Sequence, residues 1–496
     1  MKPQTLLRVL LSPTVALMLW GCPGSEESGA PPDSEDTSPD SDDTASEEQA
    51  WEFLGAPSDA AGNAVALPGD VDGDGTPDVV VGAYYGNRVC VYSGAGLQSG
   101  DAKRTLDSAD LCWGAPGSYD FSGYAVAGAG DGDGDGRADL LVGAIGDGTN
   151  GTNAGRIWVL NGGQFGDSPS TALFADAASG SLIGELGSDY AGVGLTGGKD
   201  LTGDGVPDLL VGASGSDAGG AGGGKAYLVP GPVVGEVELS EVETTFIGLP
   251  LTTSTLYHGE FGGGDAVGNA VAFPGDLNGD GIEDLVVGAS GADENGPATG
   301  KVVIYYGPVA TGQHEITDAD LTLLGPTSYG YAGSPIHAPD ADLDGDGLAD
   351  LFVSADGIDN GTLFLVNGSS EATGVLALDA GMTRWHGEAA DDQAGFAVAT
   401  GDLNGDGVVD LAVGAPGSDR RGQDAGAAFV VYGPFAIGDH PLAEADHVYE
   451  ADNVADAFAR SLASGSDVDG DGVDDLLIGA IYNDEGGAFA GKAYLY

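Results

Sequence analysis

Nine-residue segments dense in aspartate and glycine recur along this chain, the first reading "DVDGDGTPD" from Asp70. The others are "DGDGDGRAD" from Asp131, "DLTGDGVPD" from Asp200, "DLNGDGIED" from Asp276, "DLDGDGLAD" from Asp342, "DLNGDGVVD" from Asp402 and "DVDGDGVDD" from Asp467. In a tight turn, side chains at positions 1, 3 and 5 converge on one side, glycine at position 6 permits the reversal, and position 7 can offer its carbonyl. Aspartate at position 9 can bind through both oxygens. A hard cation suits such a set, since calcium takes about six to eight oxygens at roughly 2.3–2.6 Å.

The ligand sets are Asp70, Asp72, Asp74, Thr76 and Asp78, then Asp131, Asp133, Asp135, Arg137 and Asp139. The third and fourth are Asp200, Thr202, Asp204, Val206 and Asp208, and Asp276, Asn278, Asp280, Ile282 and Asp284. The fifth and sixth are Asp342, Asp344, Asp346, Leu348 and Asp350, and Asp402, Asn404, Asp406, Val408 and Asp410. Asp467, Asp469, Asp471, Val473 and Asp475 complete the series, so up to seven Ca2+ ions are expected. Asn278 and Asn404 keep an oxygen while dropping a charge, and Thr202 offers only a hydroxyl, which makes the third site the weakest. Acidic turns without an ion are the plainer alternative, but carboxylates this close repel strongly and an ion removes that cost. An EF-hand would need a bidentate Glu at position 12, where Val81 stands in an apolar run.

Other chemistry finds little support. Ser214 and Ser290 lie in "GAS" turns that lack the last glycine of a nucleophile elbow, and "GDGDG" serves carboxylates rather than phosphates. The six histidines (His258, His314, His337, His386, His440 and His447) lack zinc-site spacing. A formal net charge of −63 repels phosphates, which excludes nucleic acid and anionic membrane as partners through a basic face. We expect no enzyme.

Successive segments start 61, 69, 76, 66, 60 and 65 residues apart, a period that suits one supersecondary unit of a repeat architecture. Before each segment runs a small-residue alternating stretch such as "GNAVALPGD"; after it comes an apolar run such as "VVVGA" or "LLIGA", buried on both faces by composition. A third strand follows a glycine-rich loop ("GRIWVL", "GKAYLV", "GTLFLVNG"), and a more variable fourth appears in most units ("TTFIGL", "LTLLGP", "HVYEAD"). Four antiparallel strands in each of seven repeats predict an all-β, seven-bladed β-propeller over residues 51–496. The last repeat reaches Tyr496 after its third strand, and "AWEFLGA" (50–56) supplies a fourth that closes the ring.

This combination resembles the FG-GAP repeat of integrin α-subunit propellers, with "FLGAP" (53–57), "CWGAP" (112–116) and "VGAP" (413–416) carrying the Gly-Ala-Pro element. Integrins usually keep three or four acidic loops, whereas all seven units carry one here. The resemblance implies that the metal loops join strands one and two at one face. Loops between strands two and three, and between blades, then form the opposite face, which meets ligands. Candidate contacts there are Tyr84, Tyr85, Arg88, Tyr119, Tyr329, Tyr331, Arg420, Arg421 and Tyr482, since aromatic and Arg residues suit binding hot spots; an ordinary loop residue is the plainer reading of each. Calcium would be structural, and the ligand an extracellular or cell-surface protein or a glycan. A calcium-dependent lectin-like propeller is the alternative function, and a hydrolase scaffold a weaker one. The propeller is expected to be monomeric.

The first 22 residues, "MKPQTLLRVLLSPTVALMLWGC", have a basic start and a short apolar stretch, the pattern of a signal peptide. The ending "LWGC" resembles the lipobox of bacterial lipoproteins, which implies lipidation at Cys22, export, and anchoring at the cell envelope, at the outer membrane or cell surface. A plain secretory signal is the alternative. Residues 23–50 hold ten acidic residues and no basic ones, so they should repel themselves into an extended tether. The membrane is then touched only through the lipid. Cys90 and Cys112 remain, and export makes a disulfide between them plausible, two separate thiols being the alternative.

Overall fold

The computed structural model describes residues 50–496, except 99, 116–118, 164–170, 250–263, 340, 358–359 and 380. Cys22, the leader and nearly all of the tether lie outside the described residues.

The apolar run after each acidic segment decides the architecture. Val79–Ala83, Asp139–Ala144, Asp208–Ala213, Leu285–Ala289, Leu351–Ala355, Asp410–Ala415 and Leu477–Ala480 are strands in which every residue is buried. Each is the second strand of its own sheet, paired antiparallel to the strand before the acidic segment and to a third strand after it. Blade one contains Ala61–Ala66, Val79–Ala83, Arg88–Tyr92 and Leu111–Gly114. Blades two to six repeat this order, giving a seven-bladed propeller. Blade seven contains Phe458–Ala463, Leu477–Ala480, Lys492–Leu495 and, as its fourth strand, Trp51–Leu54.

That last pairing closes the ring, with Trp51 opposite Leu495 and Leu54 opposite Lys492. Lys492 reinforces it. Its ammonium is almost wholly buried and contacts Glu52 at 3.0 Å, Glu485 at 3.0 Å and Asp452 at 3.3 Å. The core lies between blades rather than within them: Phe53 and Leu477 of blade seven share one cluster with Val79, Val81 and Tyr92 of blade one. Close approach at these junctions needs glycine. At Gly155, φ is +88° and a Cβ would come within 2.2 Å of the Ala191 carbonyl oxygen on the next blade, a position no other residue fits.

Four strands per blade is too few. Among the described residues, six blades carry a fifth, short strand that lies parallel to the outer strand and comes from the neighbouring blade's connection between its third and fourth strands. Lys103–Thr105 of blade one pairs with Trp51–Leu54 of blade seven, and Gln313–Glu315 of blade four with Thr244–Ile247 of blade three. The residue after each clasping strand is apolar and buried, as Leu106 and Ile316 illustrate; each such burial is worth about 1.5–3 kcal/mol. Cys90 and Cys112 face each other across strands three and four of blade one and form a disulfide.

Candidate metal centres and the opposite face

The acidic segments connect strands one and two, so all seven lie at one face of the ring. Their local geometry is built from the same hydrogen bonds in every blade. The position 1 carboxylate accepts the position 6 N–H, from Gly75 to Asp70 at 2.8 Å and equivalently in the other six loops. Gly75 has φ of +93°, a left-handed conformation that glycine adopts freely. The position 7 N–H donates to position 5, as Thr76 does to Asp74 at 2.9 Å and Arg137 to Asp135 at 3.0 Å. Position 9 accepts the position 2 N–H, for example from Val71 to Asp78 at 2.8 Å.

The remaining oxygen of the position 9 carboxylate ties the loop to the end of strand three. It accepts the N–H of Gly94, Gly162, Gly231, Gly307, Gly368 or Gly433 in blades one to six. The residue before that glycine reaches the acidic cluster in three blades: Ser93 donates to Asp74 at 2.8 Å, Asn161 to Asp133 and Asn367 to Asp344. Sequence reading missed these three. Their signal was the "SG" or "NG" pair that ends the third strand.

Three carboxylate oxygens lie within 4.8 Å of one another in five loops: Asp70, Asp72 and Asp78; Asp131, Asp133 and Asp139; Asp200, Asp204 and Asp208; Asp342, Asp344 and Asp350; Asp467, Asp469 and Asp475. The other two loops carry Asn278 and Asn404 at position 3. Burial pushes the position 9 carboxyls up, Asp78 and Asp475 to about 7 and Asp284 to about 6, with Asp139, Asp208, Asp350 and Asp410 also raised. Converging oxygens, two of them half-exposed or exposed and one buried, fit a hard divalent cation, which would pull those protons off and repay the desolvation.

Neighbouring loops also touch. The position 8 N–H of one loop donates to the position 1 carbonyl of the loop before it, from Ala138 to Asp70 at 2.8 Å, Ala349 to Asp276 at 3.1 Å and Asp474 to Asp402 at 3.0 Å. Pro77 and Pro207 hold position 8 in the first and third loops and have no N–H to give. Loops one and two, four and five, and six and seven are thereby linked, while this bond does not reach loop three.

Comparison with known proteins agrees with this geometry. The FG-GAP repeat matches residues 191–229, 267–305, 394–431 and 458–496, which run from strand one to strand three of blades three, four, six and seven. An FG-GAP-like repeat matches residues 70–142. The ring is an FG-GAP β-propeller. Similar curated proteins include integrin alpha-V of Gallus gallus, 30% identical over 221 residues, 42% of this chain and 19% of that protein. Integrin alpha-PS2 of Drosophila melanogaster is 32% identical over 231 residues, 42% of this chain and 15% of that protein. Integrin alpha-IIb of Homo sapiens is 42% identical over 93 residues, 18% of this chain and 9% of that protein. The matched part is thus less than a fifth of each relative.

The opposite face of the FG-GAP propeller is made where strands two and three meet and where one blade passes to the next. A left-handed residue follows an aspartate at the same place in six blades, as Ala60 follows Asp59, Phe121 follows Asp120 and Tyr190 follows Asp189; Tyr331 follows Gly330 in the remaining one. These aspartates went unread in the sequence, although the blade alignment holds them. They accept backbone N–H groups, from Ala56 to Asp59 at 2.8 Å and from Leu186 to Asp189 at 3.0 Å. Burial raises Asp189 to about 6.

The candidate ligand contacts divide on this face. Tyr84 is buried, its ring 4.1 Å from Tyr85 and near Phe121 and Tyr124. Arg88 is held by Asp59 and Asp107. Arg420 bridges Glu388 and Glu450 at 2.8 and 2.7 Å, and Arg421 meets Glu450 at 2.6 Å. Tyr331 packs over Gly357 beside Tyr329, and Tyr482 lies edge-on to Phe489. Tyr119, Phe489 and Tyr85 are the open aromatics, at 74, 48 and 36% exposure. No helix among the described residues is long and apolar enough to cross a membrane.

Proposed function

We propose that this chain is a calcium-braced binding propeller, exported and held at a bacterial cell envelope through Cys22, whose face opposite the metal loops meets an extracellular protein. One observation carries the reading: the acidic loops repeat the same carboxylate geometry around the ring, while exposed aromatics gather on the other face around Tyr85 and Tyr119. Asp70, Asp72, Asp74 and Asp78, and their equivalents, would hold the ions. Bound calcium neutralises carboxylates that otherwise repel, and Asp78 and its counterparts transmit that bracing to the end of strand three. The resemblance to integrin α propellers supports a place outside the cell and a binding rather than a catalytic role.

The test is a pull-down from the organism's own surface fraction in calcium, using the full chain and a Tyr85→Ser/Tyr119→Ser variant. Capture of a protein by the first and its loss by the second supports the proposal. Equal capture by both, or release by free sugars, overturns it.

A further inference from the structure

Six outer strands of this propeller are covered and one is open among the described residues. The covered ones each pair in parallel with a clasp of three or four residues. Directly after it comes Leu106, Phe174, Leu239, Ile316, Leu378 or Leu442, none more than 1% exposed. Blade six ends at His447–Glu450, which among the described residues pairs with Ala427–Val431 on its inner side and with no strand on its outer side. A clasp comes from the next blade, directly before that blade's fourth strand; for blade six the corresponding residues precede Trp51 and lie outside the described residues.

The consequences are visible in side-chain exposure. The third residue of a covered outer strand is buried, as in Phe53, Trp113, Phe246 and Trp385. In His447–Glu450 no residue is buried. At two covered junctions an aromatic pair lies beneath the clasp: Phe53 and Tyr92, 4.4 Å apart, share a cluster with Leu106, and Phe246 and Tyr305, 4.7 Å apart, with Ile316. Tyr449 and Tyr496, 4.3 Å apart, form the same pair at the junction of blades six and seven, yet both are half-exposed.

We propose that the edge of His447–Glu450 receives an extended segment of a partner protein. It lies parallel to the strand and carries a large aliphatic or aromatic residue directly after the paired stretch. The six internal clasps define that chemistry. Glu52, Thr245 and Arg384 donate their N–H groups to the carbonyls of Ala102, Gly312 and Gly438 at 2.7, 3.0 and 2.9 Å, and Val448 stands at the same register on blade six. Strand addition of this kind draws affinity from the main chain and specificity from the side-chain anchor. The chain's own lead-in is a poor occupant by sequence. The anchors stand five or six residues before their fourth strands, and the matching places before Trp51 are Ser46 and Ala45.

The probe is a labelled synthetic peptide of residues 312–320, "GQHEITDAD", titrated into the full chain in calcium and followed by fluorescence anisotropy. We expect saturable binding, weakened about tenfold or more when the peptide carries Ile316→Asp, and lost similarly when the protein carries Val448→Pro with an unchanged melting temperature. Should Val448→Pro disturb folding, a photo-crosslinker in place of Ile316 in the peptide must label residues 446–450 or 492–496. Absent saturation, indifference to Ile316→Asp, or labelling elsewhere overturns the proposal. Binding that emerges only after Thr44→Pro assigns the edge to the chain's own lead-in, and dimerisation abolished by Val448→Pro assigns it to a second copy; either outcome overturns it too.

Discussion

At the rim of the acidic loops, side chain and backbone repeat together. Aspartate stands at positions 1, 5 and 9 in all seven blades, and each position 1 carboxylate accepts the same glycine N–H. At the opposite rim the backbone and, in six blades, an aspartate repeat, while the residue that follows does not. The left-handed residue at this place is Ala60 in one blade, Phe121, Tyr190 or Tyr331 in others and Gln393 in another. A site that binds the same ion many times needs the same ligands many times. A surface that binds one irregular partner needs a fixed scaffold carrying different side chains. On the proposed function, stability and recognition would fall at different ends of the same strands.

Breaking the ring itself should have the largest effect. Lys492→Met leaves Asp452 without its cation and Glu52 and Glu485 with Lys103 alone, and should cost about 3 kcal/mol, the lower end for a broken buried pair because these carboxylates are partly exposed, read by chemical denaturation. Removing one metal ligand comes next. Asp74→Ala should lower stability in saturating calcium by up to about 2.7 kcal/mol if its site is filled at a hundredfold excess over Kd. In EDTA the cost of the same substitution should be much smaller, because lost repulsion offsets the lost hydrogen bonds from Thr76 and Ser93, and this dependence on calcium is what an ordinary structural aspartate would not show.

Acidity tests the acidic loops in a second way; buried Asp189 at the opposite rim is raised too, to about 6, so the calcium-sensitive part of the effect is the part that belongs to the loops. Asp78, Asp475 and Asp284 have their folded pKa raised by burial to about 7, 7 and 6, so the metal-free fold favours their protonated forms. Their contribution is present below the ordinary carboxylate range near pH 4 and lost as pH rises towards 7. In EDTA the melting temperature should therefore fall between pH 4 and pH 7. With calcium, which favours the ionised carboxylates, that fall should be abolished or reversed. The smallest effect belongs to the recognition rim: Tyr119→Ser, at a side chain 74% exposed, should change stability by less than about 0.5 kcal/mol while reducing ligand capture.

Much of this was legible in the residues because the acidic segments act as a ruler. They located the second strands, whose unbroken apolar runs match their full burial, and the fragment "AWEFLGA" that pairs with Lys492–Leu495. The clasping strands were not legible. Three-residue pieces such as "KRT" and "QHE" carry no alternation, and they are strands only because an outer edge and a buried Leu106 or Ile316 hold them. Arg88, Arg420 and Arg421 read as candidate ligand contacts, because the carboxylates that hold them are distant in sequence or on another blade. Tyr84 read as exposed for the same reason, its cover being Phe121 and Tyr124 from the next blade.

Thermal unfolding of the chain at pH 7.5, in millimolar calcium and in EDTA, tests the division of labour most directly. A melting temperature raised substantially by calcium, and returned by EDTA, is the expected result, and Asp74→Ala should diminish the rise where Tyr119→Ser does not. Identical melting curves in calcium and in EDTA would contradict the account, because the acidic rim would then be bracing nothing.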